Sequence, residues 1–296
     1  MKNKKEYNFE EKQSDPKNPY ELDYLYDAED KILIPALTKK NSLFLEAVVK
    51  LDSNYSSGSQ SIECGKNFLT VLNDDTNFSQ KPGNDNYVGS TRFWFEAMID
   101  SFKIYGKNVD FSIYLQGALH NINLTNSTRC SKKSINKVAE ELFKECKSAD
   151  SLRELLCRPF SKDNQQHIMS ILTKPMYEGD NNKLSLASKF CAYASEYLFS
   201  NEDTKPFYPK YDGVVSSNLY YYFYYYTKLS SRDIPENYRI VLNRNFKVKT
   251  NLKPDAKFKD YMNIYEAYSW CIARILEKVG CLNATELDHI IWYCKK

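Results

Sequence analysis

The chain has 296 residues, with Lys+Arg 41 against Asp+Glu 38 and a formal net charge of +3. Hydrophobic residues at 42% and charged residues at 27% are ordinary globular usage, and a chain of this length buries a core in one or two domains without covalent staples. Only 9 glycines argue against a sandwich of many tight turns and against a glycine-rich nucleotide fold, while the weak positive charge permits nucleic-acid binding without demanding it.

In chain order, residues 1–25 are rich in Lys and Glu, carry Pro16 and Pro19, and read as a flexible N-terminal arm. A helix is expected from Ser42, with Leu43, Phe44, Ala47, Val48 and Leu51 at helical spacing. Residues 53–62 and 73–90 are polar loops, with a short strand or helical turn at Phe68–Leu72 between them. Thr91 opens a helix whose apolar face is Phe93, Phe95, Met98, Ile99, Phe102 and Tyr105. A second apolar helix runs from about Asp110 to His120. From Ser134 a clear amphipathic helix carries Ile135, Val138, Ala139, Leu142, Phe143 and Cys146. Ser151-Leu152-Arg153-Glu154 reads as a capping box for a short helix that Pro159 ends, and His167–Thr173 reads as a further short helix.

The polar stretch 177–183 marks a break between a helical region, 26–176, and a second region, 177–296. Leu184–Phe199 is helical. Tyr220–Tyr226, an unbroken aromatic run, is expected as a helix buried on several sides, with a strand as the alternative. Residues 230–258 are polar and irregular, with a β-prone stretch at Arg239–Leu242. Arg239, Arg244, Lys247, Lys249, Lys253, Lys257 and Lys259 fall there and just beyond, either as a solvated loop or as a lining for a nucleic-acid backbone. Asp260–Val279 is a long amphipathic helix stopped by Gly280, and Asn283-Ala284-Thr285-Glu286 caps the last helix. The fold class expected is mostly α, a helical bundle.

Met1–Asp15 lacks an apolar leader core, and no stretch approaches the roughly 20 apolar residues that span a bilayer. A soluble cytoplasmic protein with no membrane partner is the expectation. On that basis triplets such as Asn77-Phe78-Ser79 and Asn123-Leu124-Thr125 are chance matches to a glycosylation signal. The 8 cysteines form no Cys-x-x-Cys pair and the chain has 3 histidines, so neither a metal nor a cofactor is expected. Cys271, Cys281 and Cys294 are spaced too widely for an iron–sulfur cluster, and Cys146, Cys191 and Cys271 read as small buried hydrophobes.

The chemistry-bearing passage is Leu184-Ser185-Leu186-Ala187-Ser188-Lys189-Phe190-Cys191, followed by Phe207-Tyr208-Pro209-Lys210-Tyr211-Asp212-Gly213-Val214-Val215. A small-residue turn leads into a helix with an early lysine, and a later loop delivers an aspartate just before another helix. Over about residues 177–296 this pattern, with the ending Thr285-Glu286-Leu287-Asp288-His289-Ile290-Ile291-Trp292, resembles the helix-hairpin-helix DNA glycosylases of the 8-oxoguanine type. It also resembles bacterial proteins related to that fold and linked to defence against phage.

The resemblance implies a glycosylase-like C-terminal core that acts on DNA with a damaged or modified base. Lys189 would be the Schiff-base amine, and Asp212 the carboxylate that stabilises the sugar cation. Ser185, Ser188, Lys210 and Tyr211 would be DNA contacts, and a protein partner in a defence complex is a further implication. Cleavage of an N-glycosidic bond builds positive charge on the sugar, which a preorganised carboxylate stabilises; a lysine becomes a nucleophile in a dry or cationic site. The target base must leave the stack, so an aromatic-lined pocket is expected, and Tyr and Phe near 207–226 can supply it.

Other roles stay open for each residue. A helical lysine is commonly a solvated surface residue, an aspartate before Gly213-Val214 is a good helix N-cap, and a tyrosine run is commonly packing. Residues 182–188 hold no glycine, whereas the family's hairpin uses glycines to bring backbone N–H groups to a phosphate. That difference leaves open an inactive module that binds DNA or protein. A nuclease-type toxin would need a histidine or carboxylate cluster that the sequence does not display.

Overall fold

The computed structural model describes residues 9–15, 21–29, 31–52, 91–100, 110–126, 128, 130–160, 166–173, 183–243 and 258–293. The chain is mostly helical, as its composition leads one to expect, with one small sheet among the described residues. It divides into two compact units. One comprises Met1–Asn54, Pro209–Ala256 and Asn263–Lys296; the other comprises Tyr55–Tyr208 and Lys257–Met262. Neither unit follows the sequence breaks at 25 and 176.

In the first unit, strands β1 (Glu10–Lys12), β2 (Tyr24–Asp27) and β3 (Ile32–Pro35) form an antiparallel meander in the order β1-β2-β3. Leu25 pairs with Ile34 across β2 and β3, and both side chains are fully buried. The start of β2 is tied down by the Asn41 amide, which donates to the Asp23 and Ala36 carbonyls at 2.8 and 2.7 Å and accepts the Asp23 N–H at 2.9 Å. The Asp23 carboxylate in turn accepts from the N–H and hydroxyl of Ser14 and the hydroxyl of Thr38, at 3.0, 2.9 and 3.1 Å. These bonds hold the Asp23 carboxyl below its ordinary range although burial pulls it upward. Part of the expected N-terminal arm is therefore paired strand and hydrogen-bonded loop.

Helix α1 (Lys39–Asp52) begins three residues before the expected Ser42 and turns Asn41, Ser42 and Leu45 inward, leaving Leu43 exposed. Helix α8 (Gly213–Thr227), which follows the six described helices of the second unit, carries the aromatic run. It is helical, as expected, and Val215, Leu219, Tyr222 and Phe223 are buried. The Tyr222 hydroxyl donates to the Pro35 carbonyl, the Leu37 N–H donates to the Tyr226 hydroxyl at 2.6 Å, and Tyr225 donates to Glu11 at 3.0 Å. Phe9 meets Tyr221 and Tyr225 edge-on at 6.0 Å. The run is thus a core and hydrogen-bonding spine for the N-terminal sheet.

After α8 come two 3₁₀ helices, Ser231–Asp233 and Glu236–Leu242. The second replaces the β-prone stretch expected at Arg239–Leu242. Pro235 sets the turn, the Tyr238 N–H donates to its carbonyl at 2.9 Å, and Val241 and Leu242 are buried from the helical turn. Helix α9 (Phe258–Val279) ends at Gly280, whose φ of 70° is the left-handed stop expected there. Helix α10 (Ala284–Tyr293) has the expected capping: Asn283 Oδ1 accepts the Thr285 and Glu286 N–H groups at 2.9 and 3.0 Å, and Glu286 accepts the Asn283 N–H at 2.9 Å. Glu286 also accepts from the Ser42 hydroxyl at 2.8 Å and from the Lys39 ammonium, which joins α10 to α1.

The second unit is helical among its described residues. It contains α2 (Thr91–Ile99), α3 (Phe111–Thr125), α4 (Lys132–Glu145), α5 (Ala149–Cys157), α6 (Ile168–Thr173) and α7 (Lys183–Leu198). Helix α3 packs against α2, α4 and α7, and α7 also packs against α2, α5 and α6. On α4, Ile135, Val138, Ala139 and Leu142 form the buried face expected from their spacing. The α5 cap lies three residues upstream of the expected box. Ser148 is the N-cap, and the Ser151 hydroxyl reaches back to the Ser148 N–H at 3.0 Å, so Ser151 occupies the third helical position. The expected element at Phe68–Leu72 and the residues Phe102 and Tyr105 lie outside the described residues, as do the basic residues at 244–257.

Candidate functional site

In the first unit, the segment Pro209–Asp212 is strapped to α9 before it enters α8. The Tyr265 hydroxyl donates to the Pro209 carbonyl at 3.1 Å, and the Tyr268 hydroxyl to the Lys210 carbonyl at 2.8 Å. The Tyr211 ring stands edge-on to Tyr268 at 4.9 Å, and its hydroxyl lies 3.2 Å from that of Ser216. Burial pushes the Tyr211 phenol up to about 12. Burial also raises the Tyr268 phenol well above its ordinary range, and the carboxylates of Asp288 and Asp212 and the Tyr211 phenol act in the same direction. These phenols are neutral donors and acceptors that fix the chain path.

Asp212 is the N-cap of α8. Its backbone is extended (φ −127°, ψ 143°), its Oδ1 accepts the Val214 N–H at 2.7 Å, and its carbonyl accepts the Ser216 N–H at 2.8 Å. The carboxylate faces the positive end of the helix and stays half-buried. The neighbouring Lys210 and Tyr211, expected as DNA contacts, are each only 7% exposed and offer little surface to a phosphate. Sequence reasoning missed Tyr265, Tyr268 and Asp288 as the setting of Asp212. Tyr265 and Tyr268 belong to the long amphipathic helix α9, where a buried tyrosine reads as packing.

In the second unit, Ser185, Ser188 and Lys189 all lie inside α7, which starts at Lys183. The expected small-residue turn is therefore helix from residue 183, and residues 177–182 lie outside the described residues. Ser185 is half-buried. Ser188 has no exposed surface, and its hydroxyl donates to the Ser185 carbonyl at 3.3 Å. Ser188 therefore presents no surface to solvent in this conformation.

Lys189 is 5% exposed, so it is not a solvated surface lysine, and its amine donates to the Asn126 carbonyl at 3.3 Å. Helix α7 is apolar on nearly all sides, with Leu184, Leu186, Ala187, Phe190, Cys191 and Ala194 buried, which carries Lys189 into the interior. Lys189 belongs to one unit and Asp212 to the other.

Among the described residues, no group of three His, Cys, Asp or Glu side chains is placed to hold a metal ion, and no helix is long and apolar enough to cross a membrane. His120 and His167 are buried within the second unit, with His120 Nε2 2.8 Å from Asn136 Oδ1 and His167 Nε2 3.2 Å from the Tyr208 hydroxyl. No family model matches the chain, and neither a curated protein nor a solved structure matches it.

Proposed function

We propose that the chain is a DNA glycosylase of the helix-hairpin-helix type, acting on a damaged or modified base, with a role in defence against phage. Asp212 is the carboxylate that stabilises the developing sugar cation, and Lys189 the amine that confers lyase activity. The observation that carries the proposal is Asp212 itself: a half-buried carboxylate fixed at the N-terminus of α8 by a 2.7 Å bond, on a segment held by two phenols of α9. A carboxylate held this way needs no reorganisation as charge develops nearby, which is the condition for electrostatic catalysis. The resemblance of residues 177–296 supplies the reaction class.

The test is incubation of the purified protein with duplexes carrying modified bases and with phage DNA, followed by mass analysis of released bases. Asp212→Asn is expected to lower base release by about 100-fold or more while DNA binding persists. Equal release by the variant would remove the proposal. Lys189 is tested separately by borohydride trapping on an abasic-site oligonucleotide, which Lys189→Gln is expected to abolish.

A second reading, an inactive module that binds DNA or a protein partner, is favoured by one observation. The stretch that would grip a phosphate lacks glycine, and Ser185 and Ser188 lie within a helix rather than in a hairpin turn. On that reading Asp212→Asn changes nothing. DNA binding then weakens steeply with added salt if phosphates are contacted, and a flat salt response points to a protein partner.

A further inference from the structure

Residues 9–15 lie along the outer edge of β2, and none of them is buried. β1 pairs Glu10 with Tyr26, Glu11 with Leu25 and Lys12 with Tyr24, and its own side chains are exposed throughout. The stretch therefore adds little apolar burial, and its fixed points stand at its two ends. At one end Phe9 meets the Tyr221 and Tyr225 rings of α8 edge-on at 6.0 Å, and the Tyr225 hydroxyl donates to Glu11 at 3.0 Å. At the other end Ser14 gives both its N–H and its hydroxyl to one oxygen of the Asp23 carboxylate, at 3.0 and 2.9 Å. The Lys40 ammonium of α1 donates to the Ser14 hydroxyl and, at 3.0 Å, to the Asp15 carbonyl. Between the two ends, the Lys12 ammonium sits 4.0 Å from the centroid of the Tyr26 ring.

Asp23 differs from the residues it holds. It is 9% exposed, its second carboxylate oxygen accepts the Thr38 hydroxyl at 3.1 Å, and its main-chain N–H and carbonyl are both bonded to the Asn41 side chain. The carboxylate thus has anchors of its own at the start of α1, apart from those to Ser14.

We propose that residues 9–15 form a releasable strap, latched at Ser14 by the Asp23 carboxylate, that opens and closes over the outer edge of β2 without unfolding of the unit beneath. Resistance to local opening follows buried apolar contact. The strap has little, whereas β2 and β3 beneath it hold Leu25 and Ile34, both fully buried. Opening bares the main-chain groups on the outer edge of β2 and the Tyr221 and Tyr225 rings that meet Phe9. Closing pairs that edge and keeps it from strands of other chains. An ionised acceptor makes stronger hydrogen bonds than a neutral one, so the charge on Asp23 sets how much of the time the strap is closed.

The experiment is amide hydrogen exchange at fixed neutral pH on the full chain, on Asp23→Asn and on Phe9→Ala, with tryptic cleavage after Lys12 followed by mass. In Asp23→Asn the amides of residues 10–14 are expected to exchange about ten-fold faster, and cleavage after Lys12 to quicken likewise, while the amides of α8 and α9 keep their rates. Phe9→Ala, which leaves Asp23 and Asn41 untouched, is expected to give the same selective rise from the other end. Unchanged exchange at residues 10–14 in Asp23→Asn would overturn the latch. A rise of equal size in α8 and α9, in either variant, would overturn the strap, because residues 9–15 would then open only with the whole unit.

Discussion

The Tyr222 hydroxyl donates to the Pro35 carbonyl at 2.9 Å, so a side chain of α8 satisfies a buried main-chain acceptor at the end of the edge strand β3. One helical turn on, the Tyr226 hydroxyl accepts the Leu37 N–H. Two phenols four residues apart thereby continue a sheet edge that no further strand covers among the described residues.

Removal of either hydroxyl is therefore expected to cost about 1 kcal/mol, the typical net worth of one such bond, with more where the main-chain group stays buried and unpaired. Urea denaturation of Tyr222→Phe and Tyr226→Phe measures it. Hydrogen exchange adds a local readout, since the Leu37 amide is expected to exchange faster in Tyr226→Phe and to keep its rate in Tyr220→Phe. Equal Leu37 exchange in all three proteins would mean that the bond does not hold the edge.

Gly117 lies in the middle of α3, where glycine ordinarily costs about 1 kcal/mol relative to alanine. Its reason is Trp94 of α2, fully buried, whose ring would lie 2.4 Å from an added Cβ. Gly117→Ala is thus expected to destabilise the fold by about 1–3 kcal/mol through overpacking, against the sign that helix propensity alone gives. A rise in melting temperature would show that the indole can move aside. A double variant with Trp94→Phe is expected to recover part of the loss if the clash is the cause.

The extent to which the sequence disclosed this fold depended on the length of each pattern. On α4, Ile135, Val138, Ala139 and Leu142 repeat long enough to define a face, and Asn283 and Gly280 carry cap chemistry that is local by nature. β1 was invisible because Glu10-Glu11-Lys12 is charged and exposed throughout; it is held by pairing to β2 and by Phe9 against Tyr221 and Tyr225, partners more than 200 residues away. The surroundings of Asp212 were hidden likewise. Its cap was readable from Asp-Gly-Val, but the phenols that hold its segment belong to α9, some 55 residues on. Lys189 looked like an ordinary helical lysine because burial depends on what packs around α7, which a local window does not contain.

Stability is expected to fall as pH drops from about 6.5 towards about 4, because His120 and His167 ionise near 6.5 when unfolded and burial pushes both down to about 4 in the fold. Between those values the unfolded chain binds more protons than the native one, so stability is fully present above 6.5 and is lost on acidification. The geometry agrees. His167 Nδ1 accepts the Met169 N–H at 3.2 Å, its Nε2 faces the Tyr208 hydroxyl at 3.2 Å, and Tyr208 donates to the Leu156 carbonyl at 2.9 Å. A proton on Nδ1 would meet an N–H. Urea midpoints at pH 7 and pH 5, with imidazole titration followed by NMR, check this. A midpoint that is flat with pH, or native imidazoles titrating near 6.5, would refute it.

Asp212 has two separable roles, as helix cap and as the proposed catalytic carboxylate, and two substitutions tell them apart. Asparagine caps a helix about as well as aspartate, whereas alanine loses the bond to the Val214 N–H. Asp212→Ala is expected to lower stability by about 1 kcal/mol, and Asp212→Asn by only a few tenths, mainly through the lost charge at the helix N-terminus. If Asp212→Asn keeps its stability and loses base release, the carboxylate acts chemically. If both variants lose stability and activity in step, capping accounts for Asp212. If Asp212→Asn proves as unstable as Asp212→Ala, the charge, and not the hydrogen bond, holds the start of α8, and the segment strapped by Tyr265 and Tyr268 would be expected to loosen with it.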